Sequence, residues 1–118
     1  MKRIYTIAAF SGLLFSTAAF GHAHLDHASP AVGSTVSPAP KEVVLTFTEK
    51  LEPKFSTIEV RDAKGEAMQA AKAQAGPRAT QLHVPLKPLP PGTYEVIWRV
   101  LSVDTHRTQG DFIFSVAK

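Results

Sequence analysis

The sequence contains no cysteine, and it has only two methionines and one tryptophan in 118 residues. The absence of cysteine excludes disulfide bonds, metal sites built from thiolates and a thiol nucleophile. Apart from the adjacent Lys2 and Arg3, the lysines and arginines are scattered singly, so the chain lacks a patch of one charge. A nucleic-acid partner needs a basic patch or stripe, so we predict no nucleic-acid binding. Any metal site must use His, Asp, Glu, Met or the amino terminus.

Only one long apolar run is present, and it covers residues 4–20. Lys2 and Arg3 precede it, and small residues follow it. A basic start, an apolar stretch and a small-x-small motif are typical of a secretory signal peptide. The alternative is a membrane anchor, but the run is shorter than the roughly 20 residues of a spanning helix. We predict cleavage and no later membrane span.

Two cleavage positions fit the small-residue motif. Cleavage after Gly21 makes His22 the new N-terminus, whereas cleavage after Ala23 makes it His24. The pattern of small residues leaves both positions open. From residue 22 onwards the chain carries 11 Lys and Arg against 10 Asp and Glu, a net charge of +1.

The remainder of the chain shows the period-two alternation of β-strands. Strands are predicted at residues 42–48, 57–61, 80–84, 93–101 and 111–116. The nine prolines lie between these segments, and residues 65–76 read as a long loop. Residues 89–94 resemble a tyrosine corner, in which a Tyr hydroxyl bonds to upstream backbone. We therefore predict an all-β fold, an immunoglobulin-like Greek-key sandwich or barrel.

Histidine is the residue type that points to chemistry. The five histidines are His22, His24, His27, His83 and His106. His83 faces away from the core of its predicted strand, which indicates a solvated residue. Asp104 and His106 are two residues apart, so on an extended segment both project to one side and reach one ion. The alternative is a polar turn in which Asp104 acts as a cap.

An N-terminal histidine is an unusual ligand, because its α-amine and its ring nitrogen can both bind one metal ion. Amine, imidazole and carboxylate donors in a tetragonal arrangement suit Cu(II). The α-amine has a pKa of about 8, so a metal ion displaces its proton at little cost near neutral pH. The alternative is that His22 and His24 lie in a frayed terminus.

Several motifs together resemble the CopC family of copper-resistance and copper-homeostasis proteins. They are residues 22–25 (HAHL), 29–31 (SPA), 45–49 (LTFTE), 91–94 (PGTY), 98–99 (WR) and 102–106 (SVDTH) with Gly110. The resemblance covers the whole mature chain and implies about seven strands and a periplasmic location. It also implies that the mature chain begins at His22. The signal peptide is then residues 1–21 and the copper-binding domain residues 22–118.

The resemblance implies a set of ligands for one Cu(II) ion per chain. These are His22, through its amine and its ring, Asp104 and His106, with Glu49 and His24 as weaker or second-sphere contacts. Some members of the family also bind Cu(I) in a methionine-rich loop. The mature chain has only Met68 in that region, and thioether sites need several sulfurs. We therefore predict a Cu(II)-only protein and an ordinary apolar role for Met68.

The predicted function is to sequester or carry Cu(II), and a membrane copper transporter or another envelope copper protein is the predicted partner. No enzymatic activity is predicted. One alternative is an oxidative copper enzyme with an N-terminal His, although Asp104 would then fill an equatorial position that oxygen needs. Another alternative is a metal-free interaction module. Hydrolysis is not indicated, because the sequence suggests no Ser-His-Asp arrangement.

Overall fold

The computed structural model describes residues 23–118, and the predicted signal peptide and His22 lie outside the described residues. The strands are β1 (Leu25–Ser29), β2 (Thr35–Val36), β3 (Glu42–Phe47), β4 (Thr57–Arg61), β5 (Gln74–Ala75), β6 (Gln81–Pro85), β7 (Gly92–Leu101) and β8 (Arg107–Val116). One turn of 3-10 helix, Pro53–Phe55, precedes β4. The described part of the chain is therefore nearly all β, as predicted.

The strands form two four-stranded sheets, one in the order β1-β3-β6-β5 and the other in the order β2-β8-β7-β4. Every pairing is antiparallel except the short parallel contact of β2 with β8. Alternate side chains of both sheets enclose one apolar core, which is the arrangement of a β-sandwich. The predicted fold class is confirmed.

The core includes the only tryptophan of the sequence, Trp98. Trp98 packs edge-on against Phe47 of the facing sheet, with ring centroids 5.1 Å apart. Gly110 lies opposite Trp98 in the β7–β8 ladder, and a Cβ atom there would come within 2.5 Å of Trp98 Cζ2. Glycine is therefore required at residue 110 by the close approach of the indole ring.

The tyrosine corner is confirmed. The Tyr94 hydroxyl donates a hydrogen bond to the Pro90 carbonyl oxygen, and the ring stacks on Phe114. Burial, together with the nearby Asp62 carboxylate, raises the pKa of the Tyr94 hydroxyl. This bond fixes the entry of the chain into β7.

Strand β1 was not predicted, because a β-bulge interrupts its alternation. Leu25 pairs with Phe47 and His27 with Thr46, so Asp26 is an extra residue without a partner in the ladder. Ala28 is buried and Leu25 packs against the core, although they are three positions apart and would face opposite sides of a regular strand. The bulge thus keeps Asp26 exposed while both apolar residues face inward.

Two further predictions differ from the structure by more than one residue. Strand β8 begins at Arg107 rather than at residue 111, because pairing with β7 extends it through polar residues. The loop of residues 65–76 contains the short strand β5, which pairs with β6. Met68 lies in this loop and packs against the core, as predicted for an ordinary apolar residue.

Candidate metal centre

The predicted Asp-x-His motif lies in the tight turn that joins β7 to β8. Ser102 and His106 close this turn, with the Ser102 amide donating to the His106 carbonyl oxygen at 3.0 Å. The Thr105 amide donates to the Ser102 carbonyl oxygen at 2.9 Å. Residues 103–105 thus form a three-residue hairpin loop whose last position takes a left-handed conformation. Thr105 occupies that position with φ 71°, where glycine is usual.

The backbone geometry of this motif differs from the extended segment that we predicted. Asp104 and His106 lie in a hairpin loop and not on an extended segment. The left-handed residue between them reverses the backbone, and it brings His106 Nδ1 within 3.3 Å of Asp104 Oδ1. The two side chains are therefore close together, as predicted, but for a different geometric reason.

The ionised form of Asp104 is stabilised by a hydrogen bond, and its side chain remains accessible to solvent. The buried Ser102 hydroxyl donates a hydrogen bond to Asp104 Oδ1. This bond is the main cause that lowers the pKa of Asp104, while partial desolvation opposes it and His106 adds to the lowering. The Asp104 and His106 side chains remain 42% and 49% exposed, so an ion can reach both of them from solvent.

The first described residues run close to this turn. Ala23 is fully buried, and its carbonyl oxygen accepts a hydrogen bond from Thr108 Oγ1 at 2.9 Å. The His24 amide donates to Thr48 Oγ1 at 3.0 Å, and the Thr48 amide donates to the His24 carbonyl oxygen at 2.9 Å. Thr108 is two residues beyond His106 in the chain. The start of the domain is therefore fastened beside the turn that carries the Asp-x-His motif.

The segment around Glu49 connects the two parts of the candidate site. Thr48 is bonded to His24, as described above, and the Lys50 carbonyl oxygen accepts a hydrogen bond from the Val103 amide at 2.9 Å. The intervening residue, Glu49, is half-buried. The backbone thus places Glu49 between the N-terminal segment and the hairpin loop.

Two of the predicted site residues are in contact in the described part of the chain. Asp104 and His106 are in contact, and the His24 side chain is exposed. Within residues 23–118, no three side chains of His, Asp or Glu are gathered into a cluster that could hold a metal ion. The main predicted chelating residue, His22, lies outside the described residues, and the metal-binding roles of all five predicted residues, His22, His24, Glu49, Asp104 and His106, stay predictions.

His83 lies elsewhere, on the outer face of the β3–β6 pair. Its Nδ1 is 3.1 Å from Glu42 Oε1, and its side chain is 30% exposed. It is therefore a paired residue of the sheet face rather than a freely solvated one.

Three structural residues of the site were missed from the sequence. Ser102 holds Asp104, and Thr48 and Thr108 hold the backbone at Ala23 and His24. Hydroxyl residues at strand ends are common, so the sequence alone carries no signal for these contacts. They become visible only when the fold brings residues 23, 48 and 108 together.

Ser102, Asp104 and His106 do meet in space, although no such set was predicted. The order of contacts is hydroxyl, carboxylate, imidazole, and the serine is buried. A hydrolytic triad requires the imidazole between the hydroxyl and the carboxylate, so that it can accept the hydroxyl proton. The arrangement therefore does not activate Ser102 as a nucleophile.

The donor atoms of the candidate site fit a borderline metal ion. Asp104 supplies a carboxylate and His106 an imidazole. If the mature chain begins at His22, its α-amine is a further donor. Nitrogen and oxygen donors of this kind suit Cu(II). Among the described residues, no helix is long and apolar enough to cross a membrane.

Comparison with known proteins identifies the family. The CopC domain matches residues 25–117. Copper resistance protein C of Xanthomonas campestris pv. juglandis is 42% identical in an alignment 118 positions long, gaps included, that covers 94% of this chain and 92% of that protein.

Two solved structures have the same fold. CopC from Methylosinus trichosporium OB3b aligns with a TM-score of 0.77 at 33% identity, covering 81% of this chain and 94% of that one. PcoC, a methionine-rich copper resistance protein from Escherichia coli, aligns with a TM-score of 0.73 at 35% identity, covering 81% of this chain and 99% of that one. The motifs, the sandwich and these relatives agree, and the chain belongs to the CopC family.

Proposed function

We propose that this protein binds one Cu(II) ion and serves copper resistance or homeostasis by sequestering or carrying it. The observation that carries this proposal is the meeting of two chain segments at one end of the sandwich. The start of the domain, held at Ala23 and His24, lies beside the loop that presents Asp104 and His106. The choice of copper as the metal is supported by the relatives, which are named for copper resistance.

The proposed ligands are the amine and ring of His22, the Asp104 carboxylate and the His106 imidazole. Three nitrogens and one oxygen complete the four equatorial positions that Cu(II) favours. Glu49 and His24 are proposed to stand close by as weaker contacts. A filled equatorial plane also favours storage or transport over oxygen chemistry.

A second binding mode is possible in principle for a chain that begins His-Ala-His. Such a tripeptide can bind Cu(II) with its amine, two deprotonated backbone amides and the third imidazole. In this protein that mode would take the His24 amide away from Thr48 Oγ1 and turn the buried Ala23 out of the core. These two costs support the mode that uses Asp104 and His106.

The preference for Cu(II) over Cu(I) rests on the donor types. Cysteine is absent, and Met68, the sole methionine of the mature chain, packs against the core. The structurally similar PcoC is described as methionine-rich, and this chain differs from it in that respect. We expect no Cu(I) site of comparable strength. A competition titration with Cu(I) under reducing conditions, carried out on the wild type and on Met68→Ala, measures this.

The proposed setting is the periplasm, after removal of residues 1–21, with a membrane copper transporter or another envelope copper protein as partner. Mass spectrometry of the exported protein tests the first step. A mass that begins at His22 agrees with the proposal, whereas a start at His24 or later removes the chelating residue.

The ligand set is tested with His106→Ala and His24→Ala in exported protein that begins at His22, and with His83→Ala as a matched surface control. We expect His106→Ala to weaken Cu(II) binding by orders of magnitude and the other two to change it little. If His24→Ala causes the large loss instead, copper sits on the tripeptide. If the wild type binds no Cu(II), the alternative of a metal-free module is favoured.

A further inference from the structure

Two threonine hydroxyls hold the backbone of the first residues of the domain. We infer that Thr48 and Thr108 are positioning residues, which fasten the mature N-terminus against the sandwich so that its amine is delivered to the loop of Asp104 and His106. The inference rests on the proposed function, and it assigns a role to two residues that bind no metal themselves. We call these two residues the threonine clamp.

The geometry of the threonine clamp is specific. Thr108 Oγ1 donates to the Ala23 carbonyl oxygen at 2.9 Å, and Thr48 Oγ1 accepts from the His24 amide at 3.0 Å. The Thr48 amide also donates to the His24 carbonyl oxygen at 2.9 Å, which continues the β1–β3 ladder. Two consecutive residues are thus held by three hydrogen bonds, from two different sheets of the sandwich.

Neither hydroxyl is needed by the sheets themselves. Thr108 pairs with Val100 through the backbone, and Thr48 follows the end of β3. What the hydroxyls fix is the direction of the chain at Ala23, whose burial is complete. The carbonyl carbon of residue 22 is bonded to the Ala23 nitrogen at about 1.33 Å, so fixing Ala23 limits where the preceding amine can lie.

The expected size of the effect follows from conformational entropy. Fixing the backbone of one residue costs about 1–2 kcal/mol, which corresponds to roughly a tenfold change in a binding constant. Without the clamp this ordering must occur when copper binds. We therefore expect about a tenfold loss of Cu(II) affinity when either hydroxyl is removed, and a larger loss when both are removed.

The test uses exported protein that begins at His22, titrated with Cu(II) against a competing chelator. Thr108→Val removes the hydroxyl at nearly constant volume, and Thr108→Ser restores it. Thr93→Val is the matched control, because Thr93 lies on the same hairpin and its hydroxyl is 3.2 Å from Ser115 Oγ. Two further readouts are the melting temperature of the metal-free protein and the electron paramagnetic resonance spectrum of the copper form.

We expect Thr108→Val to bind about tenfold more weakly, with Thr108→Ser and Thr93→Val close to the wild type. Thr48→Val removes the acceptor of the His24 amide, so we expect its spectrum to shift toward more nitrogen donors as the tripeptide mode competes. Such a spectral shift is not produced by a general loss of stability.

Three results contradict the inference. One is wild-type affinity in Thr108→Val and Thr48→Val. Another is an equal loss in Thr93→Val, with affinity following the melting temperature, which indicates a purely structural role. In both cases the wild type still binds Cu(II) and the proposed function stands. Absence of Cu(II) binding by the wild type overturns the proposed function and the inference together.

Discussion

Replacing Gly110 by alanine tests the packing on which the sandwich depends. A Cβ at residue 110 would lie 2.5 Å from Trp98 Cζ2 and 2.9 Å from Trp98 Cε2. Carbon atoms in contact are normally about 3.5–4.0 Å apart, so the indole must move by about 1 Å. Phe47 packs edge-on against the ring and opposes that movement. Overpacking of this kind costs about 1–3 kcal/mol, and we expect Gly110→Ala to lie at the upper end.

The measurement is urea unfolding of the metal-free protein, followed by the fluorescence of Trp98, the single tryptophan. The midpoint should fall while the slope with denaturant stays constant. Gly33→Ala is the control, because Gly33 has φ 74° and nothing within 4 Å of its added Cβ. It should lose only the cost of a left-handed backbone for an L-residue, about 1–2 kcal/mol.

A double variant separates the clash from other effects of the substitution. In a Trp98→Leu background, which has no tryptophan and is therefore followed by circular dichroism alongside the wild type, the added methyl group has more room, so Gly110→Ala should cost clearly less. If Gly110→Ala changes the free energy of unfolding by less than about 0.5 kcal/mol, the packing argument is wrong.

Three further predictions concern the turn, the corner and the metal. Thr105→Gly should stabilise the metal-free protein by up to about 1 kcal/mol in urea unfolding, because glycine removes the strain at φ 71°; a loss of stability would contradict this. Tyr94→Phe removes the hydrogen bond to Pro90 and should cost about 1 kcal/mol in the same assay, and an unchanged midpoint would show that the bond contributes nothing. Cu(II) at about 100 times its dissociation constant should stabilise the native state by about 2.7 kcal/mol in thermal unfolding, a chelator should reverse this, and His106→Ala at the same copper concentration should show almost none of it.

The strands that the sequence predicts well are those with uninterrupted alternation. Strand β4 has the predicted bounds, Thr57–Arg61, and β7 differs by one residue at its start. Strand β1 was missed because the bulge at Asp26 breaks its pattern. The first four residues of β8 were missed because they are Arg-Thr-Gln-Gly, and Gly110 is in the strand to make room for Trp98. The alternation of apolar and polar residues predicts which side chains are buried. It does not predict a strand where a β-bulge or a neighbouring aromatic ring determines the residue types.

The candidate site was predicted only in part for a similar reason. The nearness of Asp104 and His106 was predicted from their spacing, but it arises from a hairpin loop with a left-handed threonine that propensity does not predict. The contacts of Thr48 and Thr108 join residues 24 and 85 positions apart in the chain. No local signal can report such contacts, because they exist only after both sheets have formed.

The position of β1 at the edge of its sheet suggests how an ion held by both segments leaves. Residues 23–24 lead into this edge strand, so they can detach locally, against the three hydrogen bonds that hold them, while the rest of the fold persists. Peeling at Ala23 and His24 would withdraw the amine, but the loop of Asp104 and His106 stays on the β7–β8 hairpin. With the proposed ligand set, copper would then remain on two ligands, with vacated positions open to the donors of an acceptor protein. The proposal therefore predicts release by stepwise ligand exchange, without unfolding of the sandwich.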